Sequence, residues 1–250
     1  MQDFIDLMNH MADESEKIAQ KYFRQALNVE NKSDESPVTI ADKEIEHALR
    51  AITQEHRPED GIIGEEYGAL QGKSPYQWIF DPIDGTKSFV TGRPSFGTLI
   101  ALCENGTPIA GLVNQPITKE RWLGCKDINT TFNGSPIKTR PCKNLKNASC
   151  YSTSPSMIPD LWQSLYNVCN IVVWGGDCYS YGLVAHGFAD IVIEKGLSTY
   201  DFAALPPIIE GAGGLMCDWE GKPLNLDSNG SVLALGDASL KNEAIALVSS

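Results

Sequence analysis

A chain of 250 residues is long enough to bury a sizeable core, as one large domain or as two intimate subdomains. Its 42% hydrophobic and 21% charged residues are ordinary for a globular protein, but 32 Asp+Glu against 20 Lys+Arg leave a formal net charge of −12. That balance argues against nucleic acid or an anionic membrane surface as the main partner, and it suits a site that gathers carboxylates around metal ions.

From the N-terminus, Phe4, Met8, Met11, Ile18, Tyr22 and Ala26 recur with a period near 3.6, which predicts an amphipathic helix over about residues 3–27. The opening residues are acidic and lack the basic segment of a secretion signal, and no apolar run reaches the ~18–20 residues that span a bilayer. A cytoplasmic protein without membrane contact is therefore expected. After the polar stretch VENKSDESP, Ile45, Leu49 and Ile52 mark a second helix in VTIADKEIEHALRAI. GIIGEE and QWIF read as short buried strands ending in acids. SFGTLIAL, PIAGLV and RWLGC read as further strands, with a tight hairpin turn at Asn133-Gly134.

The polar, basic, proline-bearing GSPIKTRPCKNLKNAS marks the expected boundary between an N-terminal subdomain, 1–140, and a C-terminal one, 141–250. Beyond it strands and helices alternate through NIVVW, YSYGLVAHG, DIVIE, DFAALPPIIEGAGG, SVLAL and LKNEAIALV, the pattern of a layered α/β architecture. Pro206-Pro207 argues against one regular helix over 202–210. Seven scattered cysteines without a C-x-x-C pair read as reduced thiols, and the four histidines are far apart. Zinc through cysteine and a histidine-based site are both disfavoured.

Acids stand where apolar runs stop. Glu65 and Glu66 end GIIGEE, Asp81 ends WIFD, Asp84 follows in the turn, Asp201 opens DFAALPP, and Asp42 lies at the start of the second helix. Singly, each has an ordinary explanation: Asp42 and Asp201 as N-caps, Asp84-Gly85 as a turn, Glu65-Glu66 as a solvated edge. The six residues Asp81-Pro82-Ile83-Asp84-Gly85-Thr86 ask for more. Two carboxylates three apart repel, and Pro82 stiffens the link between them. Gly85 permits close backbone approach, and the amides of Gly85 and Thr86 open toward an anion. Hard oxygen ligands with room for water and phosphate are what Mg²⁺ takes.

GEE, DPIDGT and YDFAALPPIIEGAGG, in this order and spacing, resemble the inositol monophosphatase superfamily of Mg²⁺-dependent, lithium-sensitive phosphatases, and the similarity spans nearly the whole chain. The resemblance implies an α+β fold, the αβαβα sandwich of the inositol monophosphatase/fructose-1,6-bisphosphatase type, in a homodimer. It implies two or three Mg²⁺ ions held by Glu65, Asp81, the Ile83 carbonyl, Asp84 and Asp201. Asp42 and Thr86 match the pair that polarises the attacking water, with Glu65 helping to deprotonate it and Glu66 beside the ligands. Ile83, Asp84, Gly85 and Thr86 would hold the phosphate of a small phosphomonoester.

GTKSFVTGRPSFGTLIAL and GGDCYSYGLVAHGFADIVIE resemble the branch that hydrolyses L-histidinol phosphate in histidine biosynthesis. The Thr-Asn-Phe that usually continues the core motif in inositol monophosphatases is absent, and Lys87 is shared with the branch that acts on adenosine 3′,5′-bisphosphate. Asp177, Glu194 and Asp201 are the acids expected to contact substrate, Asp177 with an N-cap as its plain alternative. Leu197-Ser198-Thr199-Tyr200 departs from the proline or bulky residue that the family often carries there. A metal-binding regulatory protein without turnover is the alternative from another class. It would be expected to have lost some of Glu65, Asp84, Thr86 and Asp201, and all four are present.

Overall fold

The computed structural model describes residues 1–25, 30, 31, 37, 38 and 40–249. Helix α1 (Gln2–Tyr22) buries Leu7, Met8, Met11, Ala12, Ser15 and Ala19 on one face, as its periodicity predicts. It stops earlier than expected because Phe23 turns to extended backbone and packs its ring against Phe89 and Phe96, at 5.6 and 5.2 Å between centroids. Residues 26 and 27 of the predicted helix lie outside the described residues. Two short antiparallel strands, β1 (Glu30–Asn31) and β2 (Pro37–Val38), precede α2 (Ile40–His56).

An eight-stranded sheet follows, built from β3 (Gly61–Gly64), β4 (Gly68–Leu70), β5 (Tyr76–Asp84), β6 (Gly97–Glu104), β7 (Thr107–Gln115), β8 (Glu120–Cys125), β9 (Ile128–Phe132) and β10 (Ser135–Pro136), with the short helix α3 (Thr86–Val90) after β5. Its order is β10-β9-β8-β7-β6-β5-β3-β4, antiparallel throughout except for β3 beside β5. Asn133 and Gly134, at φ 48° and 78°, make the two-residue turn between β9 and β10 that the sequence predicts.

The second sheet is assembled from β11 (Ser149–Ser152), β12 (Ile171–Trp174), β13 (Ile191–Glu194), β14 (Leu215–Cys217) and β15 (Val232–Leu235) in the order β12-β11-β13-β15-β14. The helices threaded through it are α4 (Trp162–Val168), α5 (Asp177–Ala185), α6 (Thr199–Phe202), α7 (Leu205–Gly211) and α8 (Lys241–Val248). No single helix runs over 202–210, as the proline pair leads one to expect, although the break falls before the prolines. Ala203 and Ala204 separate α6 from α7, whose first turn accommodates the two prolines.

Alternation along the strands sorts the core into layers. On β6, Leu99, Ala101 and Cys103 face one core and Ile100 and Leu102 another; on β15, Val232 and Ala234 oppose Leu233 and Leu235. One core lies between α1, α2 and the large sheet, a second between the two sheets around α5, α6 and α7, and a third between the small sheet, α4 and α8. This is the αβαβα sandwich. Its middle layer sits at backbone distance from the large sheet: a Cβ on Gly111 would meet the Ala204 carbonyl oxygen at 1.8 Å. That contact fixes where α6 presents Asp201.

Candidate active site

Residues three apart on a regular strand point to opposite faces. Asp81 and Asp84 do not, because β5 carries an irregularity: Asp81 pairs with Leu99 and Asp84 with Gly97, so three steps on β5 oppose two on β6. The extra residue is a bulge at Pro82-Ile83, where Pro82 has no amide to offer the ladder and its carbonyl accepts the Thr98 hydroxyl at 2.8 Å. The bulge turns both carboxylates toward one cleft.

A third carboxylate arrives from the middle layer. Ser198 caps α6, and Asp201 is its capping-box partner, with its Oδ2 accepting the Ser198 amide at 2.6 Å. Asp201 is thus the third residue of the first turn rather than the N-cap. Carboxylate oxygens of Asp81, Asp84 and Asp201 lie within 4.8 Å of one another. Asp81 Oδ1 is buried with no hydrogen-bond partner among the described residues. Asp84 Oδ2 accepts the backbone N–H of Cys178 at the start of α5.

Burial is the main force on these acids. It raises Asp81 well above the ordinary carboxylate range, and Glu65, Asp84, Asp201 and Asp42 add like-charge repulsion. Asp84 is raised well above that range by burial and by Asp177 and Asp201, against the Cys178 hydrogen bonds. Asp201 is pushed up to about 7, chiefly by burial. A buried, mutually repelling set of oxygen donors with an unsatisfied Oδ1 fits a hard divalent cation such as Mg²⁺.

Glu65 follows β3, the parallel neighbour of β5, and lines the same cavity, of about 180 Å³, together with Ile83, Gly85, Thr86 and Lys87. The Thr86 hydroxyl donates to the Ile83 carbonyl at 3.1 Å. Asp42 does not line the cavity. It is fully buried in the first turn of α2, close enough to add to the charge felt by Asp81.

A second cavity, of about 130 Å³, shares Asp84, Asp177 and Asp201 with the first and adds Met157, Leu197 and Glu194. Glu194 ends β13 and is buried, accepting the Thr153 amide at 2.9 Å and the Tyr181 hydroxyl at 2.8 Å. Burial raises its carboxyl against those two donors. Asp177 opens α5 with a left-handed backbone, φ 46°, uncommon for a residue with a Cβ. Its side chain does not cap that helix; Oδ2 accepts the Ser88 hydroxyl at 2.6 Å. A Cβ on Gly85, itself at φ 85°, would lie 2.5 Å from that oxygen. Gly85 therefore makes room for the Asp177 carboxylate. Burial raises Asp177 too, partly offset by Ser88, Arg93, Ser95 and Lys87.

Sequence reasoning passed over the Cys178 amide, Thr153, Met157, Tyr181 and Ser88. Only Tyr181 left a signal, four residues after Asp177 and so on the same helical face. Larger cavities of about 500 and 560 Å³ flank Glu210 and Gly211, but neither brings together a set of acids. All seven cysteines are free, and among the described residues no helix is long and apolar enough to cross a membrane.

A family model described as the inositol monophosphatase family matches residues 1–250. The bifunctional phosphatase IMPL2, chloroplastic, of Arabidopsis thaliana is 44% identical, over 97% of this chain and 74% of its own length. The histidinol-phosphatase of Chlorobaculum parvum is 33% identical, over 92% and 91%. The solved structure of an inositol monophosphatase from Zymomonas mobilis superposes with a TM-score of 0.91 at 46% identity, over 100% of this chain and 98% of that one.

Proposed function

The chain belongs to the inositol monophosphatase family, and from that premise we propose that it is a Mg²⁺-dependent phosphomonoesterase that hydrolyses L-histidinol phosphate to L-histidinol and phosphate. One observation carries the choice of substrate. The cavity beside the acid cluster is lined by Asp84, Asp177, Glu194 and Asp201 and, among the described residues, by no lysine or arginine. A leaving alcohol that bears an ammonium and an imidazole suits such walls, and Met157 and Leu197 provide apolar contact for the ring. The 33% identical histidinol-phosphatase supports the same reading.

Two or three Mg²⁺ ions, held by Glu65, Asp81, the Ile83 carbonyl, Asp84 and Asp201, would supply charge neutralisation for the phosphoryl group and a lowered pKa for water. The remaining tasks fall to the protein. The backbone amides of Gly85 and Thr86 receive phosphate oxygens at the start of α3. The Thr86 hydroxyl, backed by the buried Asp42, orients the attacking water, and a Glu65 carboxylate oxygen takes its proton. Asp177, fixed by Ser88, and Glu194, fixed by Thr153 and Tyr181, meet the cationic end of the substrate. Homodimerisation belongs to the same reading.

A panel of histidinol phosphate, inositol 1-phosphate and adenosine 3′,5′-bisphosphate, each with Mg²⁺ and with chelator, tests the proposal. Phosphate release is expected with Mg²⁺ only and fastest from histidinol phosphate. Preference for inositol 1-phosphate would favour the second reading, for which the 46% identical inositol monophosphatase speaks. Mg²⁺-dependent release from no phosphomonoester at all would leave a metal-binding regulatory protein.

A further inference from the structure

Glu46 is a fully buried carboxylate that neither the acid cluster nor the substrate cavity contains. It sits on α2 one turn beyond Asp42 and reaches the three-residue loop that joins β3 to β4. Its Oε2 accepts the amide of Glu66 at 2.6 Å, and its Oε1 accepts the amide of Tyr67 at 3.2 Å. Arg50, one turn further along the same helix face, donates its Nε to Glu46 Oε1 at 2.7 Å and an Nη2 hydrogen to the carbonyl of Gly68, where the loop ends. Gly64, the last residue before the loop, leaves the space: a Cβ there would fall 2.0 Å from Glu46 Oε1. The loop these contacts hold is Glu65-Glu66-Tyr67.

We propose that Glu46, held by Arg50, is a positioning residue for Glu65: it grips the two amides that follow Glu65 and so sets the carboxylate of Glu65 against Asp81 and Asp84 before any metal binds. This rests on the reading of Glu65 as a metal ligand. On the far side of the loop β4 is exposed along its whole length, so only β3 anchors the hairpin in the core. Without the carboxylate on α2, the loop must be ordered when the ion binds, and affinity falls by that cost.

The test is Mn²⁺ binding to metal-free protein, read from the EPR signal of the free ion, beside the Mg²⁺ concentration for half-maximal turnover. Glu46→Gln keeps the shape of the side chain but turns a donor toward amides that need an acceptor. Gly64→Ala expels the carboxylate while leaving Glu46 in place. Both are expected to weaken Mn²⁺ binding about 10-fold and to raise the half-maximal Mg²⁺ similarly. At saturating metal, the KM for substrate should stay within about 2-fold of the parent, which a general loosening of the fold would not spare. Glu65→Gln is the control. If it leaves Mn²⁺ binding unchanged, the assignment of Glu65 as a ligand falls, and the positioning role with it. If Glu65→Gln weakens binding while Glu46→Gln and Gly64→Ala bind like the parent, the positioning role alone is overturned. Should both variants fail to fold, Arg50→Lys takes their place, with an expected weakening of about 3-fold; parental binding there overturns the proposal.

Discussion

Two of the regions that bury aspartates treat them oppositely. Asp190, just before β13, is 1% exposed, and both its oxygens are satisfied. Arg140 donates to Oδ1 at 2.7 Å and to Oδ2 at 2.5 Å, and the Ser149 amide donates to Oδ2 at 2.7 Å. Asp81, Asp84 and Asp201 converge within 4.8 Å, and among the described residues no arginine or lysine is bonded to them and Asp81 Oδ1 has no hydrogen-bond partner. A carboxylate the protein neutralises is part of the scaffold. Carboxylates left to repel one another in a cleft wait for a cation from outside.

The largest break in that comparison is Asp84→Asn, which removes one negative charge and little volume. With Mg²⁺ in excess, kcat should fall about 10³-fold, because several kcal/mol of charge stabilisation in the transition state depend on the cluster. The metal-free variant should melt higher than the metal-free parent, since a like charge has left a buried set. Normal turnover at saturating Mg²⁺ would show that Asp84 is not a ligand.

Asp177 stands between the two regimes. It is partly satisfied by Ser88, yet burial still raises its carboxyl, so a cation from the substrate would complete its environment. Asp177→Asn should lower kcat/KM for histidinol phosphate by ~10–150-fold, the equivalent of about 1.5–3 kcal/mol for a charged hydrogen bond. Glycerol phosphate, whose alcohol carries no cation, should be hydrolysed almost as before. Equal losses on both esters would return Asp177 to the scaffold.

Asp190→Asn sharpens the comparison from the structural side. It should cost about 2 kcal/mol of stability by denaturant titration, and kcat should stay within about 2-fold. Arg140 is 42% exposed and rehydrates when released, which keeps the loss below that of a fully buried pair. A loss of activity without a loss of stability would mean that the two regions are not independent.

Much of this was legible in the sequence, for definite reasons. Short apolar runs such as Gly97–Glu104 announced strands, and acids at the ends of such runs announced the cleft. What the sequence withheld depends on contacts across the chain. That Asp81 and Asp84 face one side needs the bulge against β6, of which Pro82 is only a hint. The end of α1 is decided by Phe89 and Phe96, more than sixty positions away from Phe23. Strands β11 and β14, of four and three residues, are too short to show a period. Glu46 reads as one more charge on a helix rich in them, and only the loop folded against it shows otherwise.

The smallest expected effect follows from the pH dependence of the unpaired set. In the folded protein Asp201 titrates at about 7, and Asp81 and Asp84 are also raised above the ordinary carboxylate value. A carboxyl whose folded pKa is raised binds protons more tightly in the folded state. Its stabilising contribution is therefore complete below the unfolded value, near 4, and is lost as pH rises through the folded value. For Asp201 that window runs from about pH 4 to about pH 7. Metal-free protein should lose stability across it, whereas Mg²⁺ replaces the protons and removes the loss. The difference in Tm between Mg²⁺-saturated and metal-free protein should therefore widen between pH 5 and pH 8, by at least the 2–4 °C that about 1 kcal/mol is worth in a protein of this size. Calorimetry in buffers of different ionisation enthalpy should show a proton released on Mg²⁺ binding at pH 6 and almost none at pH 9. Asp201→Asn should lose much of that pH dependence. A gap that stays constant with pH would mean that the cluster is neutralised within the protein, and the contrast between the two regions would be gone.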